Sequence, residues 1–414
     1  MPRTRRHFLQ SALGSSTLLT LAPTVPAFLA RTALAAAPCR DQGDTILVLV
    51  ELAGGNDGLN AVVPYADDAY ARSRPTIRLD ASQLHKIDAD LGFHPRMAAF
   101  HRLYQEGHLA VVQGVGYPNT NDDHEVAIRD WHTARPGDTY CQTGWAGRAL
   151  DHVYRPDEGR VLGVSVGPER RPLALNAEKV PALAVRSLDQ WRPQGAGVAG
   201  RDAGPGPAEP LAEEPGAEAR LLDFVTHVTV AAYADSRRVE AVASGPTADY
   251  PSYQLAQRLR TIAQLIRAGA GIRLYYAKLG GDGFGGFDNH ANQIGNHCAL
   301  LEELAESVAA FVADLKSHGQ LDRVLLATFS EFGRTVRENG RRGTDHGGAA
   351  PVFLAGGRLR GGLAGEHPPL TDVARNALTE SIDFRRVYAT FLDRWLGFES
   401  EPIIGPGFDP LELV

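Results

Sequence analysis

The sequence is poor in cysteine and lacks long apolar runs beyond its N-terminal region. Its three cysteines, Cys39, Cys141 and Cys298, have no CxxC spacing, which excludes a disulfide framework and leaves one bridge between an unassigned pair. No stretch after the N-terminal region approaches the ~20 continuous apolar residues that span a bilayer. We therefore expect no membrane span once an N-terminal signal has been removed.

An excess of basic residues is also missing. The chain holds 42 Lys and Arg against 49 Asp and Glu, a formal net charge of -7. Residues 1–37 contribute four arginines and no acid, so their removal makes the mature chain more acidic still. Because nucleic-acid binding requires a basic face, we expect no nucleic-acid partner. The sequence does not determine the oligomeric state.

The N-terminus does carry a recognisable signal. Arg5-Arg6 followed by Phe8-Leu9 begins a basic head, which is succeeded by a mildly apolar stretch and the small residues of 33–37. This three-part pattern is typical of a secretory signal peptide, and the paired arginines indicate its twin-arginine variant. We predict a twin-arginine signal at 1–37 and a periplasmic or secreted mature protein.

Apolar strands alternate with helical patterns along the rest of the chain. Strands are predicted at 46–50, 109–112, 272–277, 324–328 and 352–354, and helices at 218–244, 252–268, 298–315 and 384–395. Such alternation predicts a three-layer α/β/α fold around a mostly parallel sheet. Residues 191–220 are rich in Gly, Pro and Glu, which predicts a disordered surface loop within a single domain at 38–414. A linker between two domains is the alternative.

Polar residues follow or flank the predicted strands. In open α/β sheets, ligands bind at the carboxyl ends of the strands, where this chain places several Asp, Glu and His residues. Asp288 and His290, two apart in an extended loop, face the same side and can reach one ion. The candidates are Asp57, Asp123, Asp288, His290, Glu331, Arg334, Asp345 and His346.

Carboxylate and imidazole together suit Zn²⁺ or Mn²⁺, whereas carboxylate with carbonyl suits Ca²⁺. We predict a divalent metal site with His346 as a ligand and Asp345 as a second ligand or the group that orients that imidazole. Arg334 could hold an anionic substrate by a forked contact. Each motif alone is also compatible with a turn, a helix cap or an ion pair. It is the gathering of several such loops at one edge that favours a metal.

Five segments, in order along the mature chain, resemble one bacterial family. They are residues 54–60 (GGNDGLN), 144–148 (GWAGR), 287–293 (FDNHANQ), 330–335 (SEFGRT) and 343–347 (GTDHG). They are similar to the family called domain of unknown function 1501 (DUF1501), whose members are typically exported by the twin-arginine route. That family is grouped with the alkaline phosphatase-like superfamily, which includes sulfatases and phosphodiesterases. The resemblance implies one alkaline phosphatase-like domain with a two-metal site and a Ser, Thr or formylglycine nucleophile.

The resemblance also implies roles for single positions. Asp57 resembles the first metal-binding Asp of the superfamily, and Asp288, His290 and His346 resemble its later ligands. Glu331 takes the position of an Asp that is usually followed by a His, for which this chain has Phe332. The nucleophile position falls on Asp123, and Thr120 is the nearest hydroxyl. No cysteine lies in the Cys-x-Pro-x-Arg context of formylglycine sulfatases.

Two functions therefore remain from the sequence. The first is a metal-dependent hydrolase of phosphate or sulfate esters, with an anionic ester as substrate and Asp123 or water as nucleophile. The second is a non-catalytic exported protein that keeps the fold for binding or cell-surface assembly, which the replaced nucleophile and Phe332 favour. A purely structural domain without metal would leave the clustered Asp and His loops unexplained.

Overall fold

The computed structural model describes residues 45–154, 163–180, 182–186, 248–281, 286–371 and 373–414. The predicted signal at 1–37, the predicted loop at 191–220 and the predicted helix at 218–244 lie outside the described residues. Among the residues that are described, no helix combines the length and the apolarity needed to cross a membrane.

In the described part of the chain, a sheet of nine strands forms the middle layer. Its strands are β1 (Ile46–Leu52), β5 (Leu109–Gly116), β6 (Gly163–Val166), β7 (Leu183–Val185), β8 (Leu274–Leu279), β9 (Val324–Phe329), β10 (Ala350–Gly356), β11 (Gly362–Ala364) and β12 (Ile382–Asp383). The spatial order is β11-β5-β10-β9-β1-β8-β6-β7, with β12 also pairing β5. The central strand β1 is parallel to both β8 and β9, in the register Val48↔Tyr275 and Val48↔Leu326. Among the described strands of this sheet, β10 alone runs antiparallel to its two neighbours.

A small antiparallel sheet lies outside the main one. It consists of β2 (Val62–Val63), β3 (His85–Lys86) and β4 (Gly92–Phe93). The helices are α1 (Gly58–Ala61), α2 (Asp68–Ser73), α3 (Ala98–Gln105), α4 (His124–Thr133), α5 (Trp145–Val153), α6 (Gln254–Arg267), α7 (Gln293–Ser317), α8 (Phe384–Ala389) and α9 (Glu401–Ile404), with a π-helical turn at Thr390–Leu396.

Two hydrophobic cores cover the two faces of the sheet. Alternate residues of β1 enter different cores: Val48 packs with residues of α3, α6 and α7, and Leu49 packs with residues of α4, α5 and α8. A strand that is buried on both faces explains the continuous apolar run Ile46–Val50. The predicted three-layer α/β/α arrangement and mostly parallel sheet are confirmed.

The predicted elements within the described residues are present, with shifted ends. The helix expected at 298–315 begins earlier, at Gln293, and the closing helix passes into the π-helical turn after Ala389. Strand β10 is antiparallel, so its first residue, and not its last, lies at the edge where the parallel strands end. The segment before β10, which contains His346, therefore meets the segments that follow β1, β8 and β9.

Candidate metal centre

The first side chain of the centre comes from the start of α4. Asp123 caps this helix, because its Oδ1 accepts the N–H groups of Glu125 and Val126 at 2.9 and 3.1 Å, as expected for an Asp at an N-cap. The next residue, His124, extends to the carboxyl edge of the sheet. Its Nδ1 lies 2.9 Å from Oε1 of Glu331, which follows β9.

Three imidazole nitrogens gather around one carboxylate oxygen. Oδ1 of Asp288 lies 2.9 Å from Nε2 of His290, 3.2 Å from Nε2 of His346 and 3.5 Å from Nε2 of His124. The ligand atoms of His124, Asp288 and His346 lie within 4.8 Å of one another. Residues that are separated by more than 200 positions in sequence thus form one cluster, which we call the His3Asp cluster.

The other nitrogen of each imidazole has an acceptor of its own. Nδ1 of His290 is 3.0 Å from Oδ1 of Asp345, and Nδ1 of His346 is 2.5 Å from the carbonyl oxygen of Asp122. Oε1 of Glu331 is likewise the acceptor for Nδ1 of His124. These acceptors place the proton on Nδ1 and leave the Nε2 lone pairs directed into the cluster, which is the arrangement found behind metal-bound histidines.

The distances inside the cluster fit a cation. Nε2 of His290 and Nε2 of His346 are 2.9 Å apart, and two lone pairs at that separation repel each other unless a shared proton or a metal ion lies between them. Three imidazoles with one carboxylate form a donor set suited to Zn²⁺ or Mn²⁺, whereas Ca²⁺ and Mg²⁺ prefer oxygen ligands alone. His124, Asp288, His290 and His346 are therefore the residues that could hold the metal.

The electrostatics of the cluster favour an ionised Asp288 and a more basic His124. Burial raises the pKa of Asp288, but the hydrogen bond and charge of Arg334 outweigh this effect, so the pKa of this carboxyl is lowered and it is ionised. The hydrogen bond to Glu331 raises the pKa of His124 and makes its ring a stronger base. Both side chains are a little over one third exposed, so the cluster is open to solvent on one side.

Phe332 occupies the position where the superfamily resemblance led us to expect a His. Its ring stacks on His346 with centroids 4.5 Å apart and an angle of 28°, and its centroid lies 5.0 Å from that of His124. The residue is buried. It cannot ligate, but it forms the apolar wall that fixes the orientation of two imidazoles.

Asp57 does not belong to the cluster, which corrects its expected role as a ligand. Its two carboxylate oxygens accept from Nη1 and Nη2 of Arg74 at 2.6 and 2.9 Å, and Gln293 also donates to it. Burial raises the pKa of Asp57, but the charge and hydrogen bonds of Arg74 outweigh burial, so its pKa is lowered. Its carboxylate is committed to a buried ion pair that joins α1 to α2.

Arg334 is likewise not free to hold a substrate, which corrects its predicted catalytic role. Its guanidinium donates to four backbone carbonyls, those of Gly54, Gly55, Phe287 and Thr344, and to Oδ1 of Asp288 at 2.6 Å. The side chain has no exposed surface. Arg334 therefore joins three loops of the site and positions Asp288.

The other predicted residues do lie at the site, but in roles that differ from those expected. Asp123, the expected nucleophile, is a helix cap. Its neighbour His124, which was not among the candidates from the sequence, belongs to the cluster. Glu331, expected as a ligand, holds His124, and Asp345 holds His290 instead of its neighbour His346. The preference of Asp for the N-cap was a signal that could have pointed to His124.

The family described as "Protein of unknown function (DUF1501)" matches residues 218–405. No curated protein sequence matches the chain.

The similar solved structures include members of the alkaline phosphatase superfamily. A superfamily protein from Vibrio parahaemolyticus has a TM-score of 0.38 and 10% identity, over 91% of this chain and 76% of that one. The zinc complex of the C-terminal periplasmic domain of EptC from Escherichia coli has a TM-score of 0.36 and 9% identity, over 76% and 73%. The lipoteichoic acid synthase LtaP from Listeria monocytogenes has a TM-score of 0.35 and 10% identity, over 82% and 72%.

These scores are too low to establish a shared activity. The family model, in contrast, covers three of the five motifs on which the resemblance was based, those at 287–293, 330–335 and 343–347. Residues 218–405 match the DUF1501 family model, as those motifs predicted.

Proposed function

We propose that this chain is an exported, metal-dependent hydrolase of phosphate or sulfate esters in which water, and not a side chain, attacks the ester. The observation that carries the proposal is the His3Asp cluster, in which three Nε2 atoms converge on Asp288 while every Nδ1 is held by a protein acceptor. A cluster prepared in this way supports a bound Zn²⁺ or Mn²⁺ ion. Such an ion would polarise the ester and neutralise charge that develops on its oxygens.

The hydroxyl groups nearest in sequence to the site are otherwise engaged, which is the reason for proposing water. The Thr120 hydroxyl donates to the carbonyl of Tyr117 at 2.8 Å, and that of Ser330 donates to the carbonyl of Leu52 at 2.6 Å. The Asp123 carboxylate caps α4. His124 and Asp288 are each a little over one third exposed, so water can reach the cluster from solvent.

Arg375 is our candidate for the anion-holding role once expected of Arg334. Its Nη2 bonds Oδ1 of Asp122 at 2.8 Å, and the carbonyl of Asp122 is the acceptor for His346. The side chain is 60% exposed, so further guanidinium donors can reach a phosphate or sulfate group. Both Arg375 and the following Asn376 have positive φ angles, 53° and 59°, a conformation that costs energy in non-glycine residues.

The test is a screen of phosphate and sulfate esters with protein loaded with Zn²⁺ or Mn²⁺. His346→Ala is expected to abolish turnover while circular dichroism remains unchanged, and Arg375→Gln is expected to raise KM more than it lowers kcat. Arg102→Gln, an exposed arginine on α3, is the matched control. Turnover that survives in His346→Ala would disprove the hydrolase proposal.

A non-catalytic role is the second candidate, and specific observations favour it. Of the two side chains first expected to act in catalysis, Asp123 uses its Oδ1 to cap α4, and Arg334 is buried and bonded to Asp288. This candidate predicts that the protein binds a metal tightly yet turns over none of the esters in the panel. It also predicts a macromolecular partner that is recovered by pull-down from the periplasm.

Export and domain organisation belong to the same proposal. We propose that residues 1–37 direct twin-arginine export and that residues 38–414 form one domain. The second point is supported by the main sheet, which takes strands from Ile46–Leu52 to Ile382–Asp383. Replacing Arg5 and Arg6 together with Lys is expected to block export, and Arg3→Lys serves as the control. Export of the double variant would contradict the twin-arginine assignment.

A further inference from the structure

A second polar cavity lies at the same edge of the sheet as the His3Asp cluster. Its volume is about 170 Å³, well above the ~10–15 Å³ that a cavity needs to hold one water molecule. It lies among the ends of β1, β6 and β8 and the side of α4. The lining residues that matter here are Glu51, Ile128, His132, Arg170, Tyr276 and Lys278.

The floor of the cavity is a connected polar network. Oε1 of Glu51 lies 3.1 Å from Nζ of Lys278, and its Oε2 accepts the hydroxyl of Tyr276. Nε2 of His132 lies 3.0 Å from that hydroxyl and 3.4 Å from Oε2 of Glu51. Burial raises the pKa of Glu51, but His132 and Lys278 outweigh this effect and lower it to about 2. Glu51 is therefore ionised and compensates the charge of Lys278.

One cation of the cavity is left without a carboxylate. The second acid in the lining, Glu169, lies 2.7 Å from Nη2 of Arg258. Arg170 is exposed, and no hydrogen bond or ion pair joins its side chain to any part of the chain that the structure describes. With the two acids each opposite a cation, Arg170 gives the cavity a positive excess that favours an oxyanion, for which the guanidinium fork is well shaped.

The cavity and the His3Asp cluster lie along one helix. His124 begins α4 and belongs to the cluster, whereas Ile128 and His132 on the same helix line the cavity. Residues four apart share a helix face, and the eight steps from His124 to His132 span roughly 12 Å at 1.5 Å per residue.

We propose that this cavity binds a second oxyanion of the substrate while the His3Asp cluster acts on the first. The substrate class is then an ester that carries a further phosphate, sulfate or carboxylate group roughly 12 Å from the reacting one, such as a segment of an anionic polysaccharide. The link to turnover rests on the proposed function. The anion site itself does not, because none of its lining residues belongs to the cluster.

The anion site is tested first, by calorimetric titration with inorganic sulfate at constant ionic strength. The titration uses His346→Ala protein, so that metal at the cluster does not add a second site. Adding Arg170→Gln is expected to weaken sulfate binding at least tenfold, whereas adding Arg170→Lys retains most of it. Absence of sulfate binding in His346→Ala, or equal binding with and without Arg170→Gln, overturns the proposal. The proposed hydrolase activity is not judged by this arm.

The second arm asks whether the anion belongs to a longer ligand. Metal-loaded wild-type protein is titrated with a sulfated tetrasaccharide and with its desulfated counterpart. Because a ligand that spans both sites gains from their combined affinity, each of Arg170→Gln and His346→Ala is expected to weaken binding of the sulfated form at least tenfold. Loss of binding in His346→Ala alone would reduce the cavity to a site for free inorganic anions and overturn the substrate assignment.

Discussion

Replacing Arg334 with Met tests whether this residue is a structural link or an anion-binding group. Methionine preserves the length and the apolar stem of the side chain but removes the charge and all donors. In the structure, Arg334 donates to four backbone carbonyls from three loops and to Asp288, and it is fully buried. The substitution leaves these acceptors without a partner in a site that water cannot readily enter.

The expected magnitude follows from those contacts. A buried polar group without a partner costs ~1–3 kcal/mol, and removing one member of a fully buried ion pair costs about 3–5 kcal/mol. Because Asp288 is 38% exposed, its charge stays partly hydrated and the loss of this pair contributes less than that. The carbonyl acceptors relax together, so their costs do not add. We expect Arg334→Met to lower the free energy of unfolding by about 3 kcal/mol, a large part of the ~5–15 kcal/mol typical of a domain.

The assay is urea unfolding of metal-free protein followed by tryptophan fluorescence. Chelator is present throughout, so that loss of metal affinity cannot contribute to the difference. Arg102→Met is the matched control, since Arg102 is exposed on α3 and should change stability by less than ~0.5 kcal/mol. A change below about 1 kcal/mol in Arg334→Met, combined with a large rise in KM, would refute the structural role and restore Arg334 as the anion-binding group.

Three further predictions concern the surroundings of the centre. Asp345→Asn should weaken zinc affinity roughly 10–100-fold without loss of fold, since it removes the acceptor of a ligand imidazole; unchanged affinity in a chelator competition would contradict this. Asp57→Asn should lower the free energy of unfolding at neutral pH by about 3–5 kcal/mol. The pKa of Asp57 in the folded protein is below its ordinary value of 3.8. The ion pair therefore stabilises the fold at pH values above 3.8, and this stabilisation is lost as the pH falls through the folded pKa. A stability difference between wild type and Asp57→Asn that does not change with pH in urea titrations would refute this. Gly54→Ala should lower the free energy of unfolding by ~1–3 kcal/mol and weaken zinc binding, because Gly54 has a φ of +107° and an added Cβ would lie 2.5 Å from the backbone N of Asp288. Gly340→Ala is the control, since nothing lies within 4 Å of an added Cβ there. Equal effects of the two substitutions would count against the reasoning.

The layered fold could be predicted because each central strand carries its own signal. A strand buried on both faces must be continuously apolar, and Ile46–Val50 and Val324–Thr328 satisfy this requirement locally. The direction of β10 could not be predicted in this way. An apolar run such as Val352–Leu354 is the same in a parallel and an antiparallel strand, and its pairing is decided by residues 240 positions away in β5.

The location of the candidate site could be predicted, but the division of roles within it could not. The carboxyl-edge rule places Asp288, His290 and His346 at one edge because it depends only on strand order, and in the structure these three side chains are in contact. Whether a carboxylate faces a metal, a histidine or an arginine depends on partners far along the chain. Glu331, for example, is fixed by the N–H of Gly54 and by His124, and neither contact has a sequence signature.

The most direct test of the central claim is a zinc titration of chelator-stripped mature protein, with bound metal measured by competition with a chromophoric chelator. His124 is the decisive residue, since its place in the centre comes from the structure alone. The account predicts one tightly bound equivalent in the wild type and an affinity weakened by at least about 100-fold in His124→Ala. Absence of tight binding in the wild type, or equal binding by His124→Ala, would contradict the His3Asp centre.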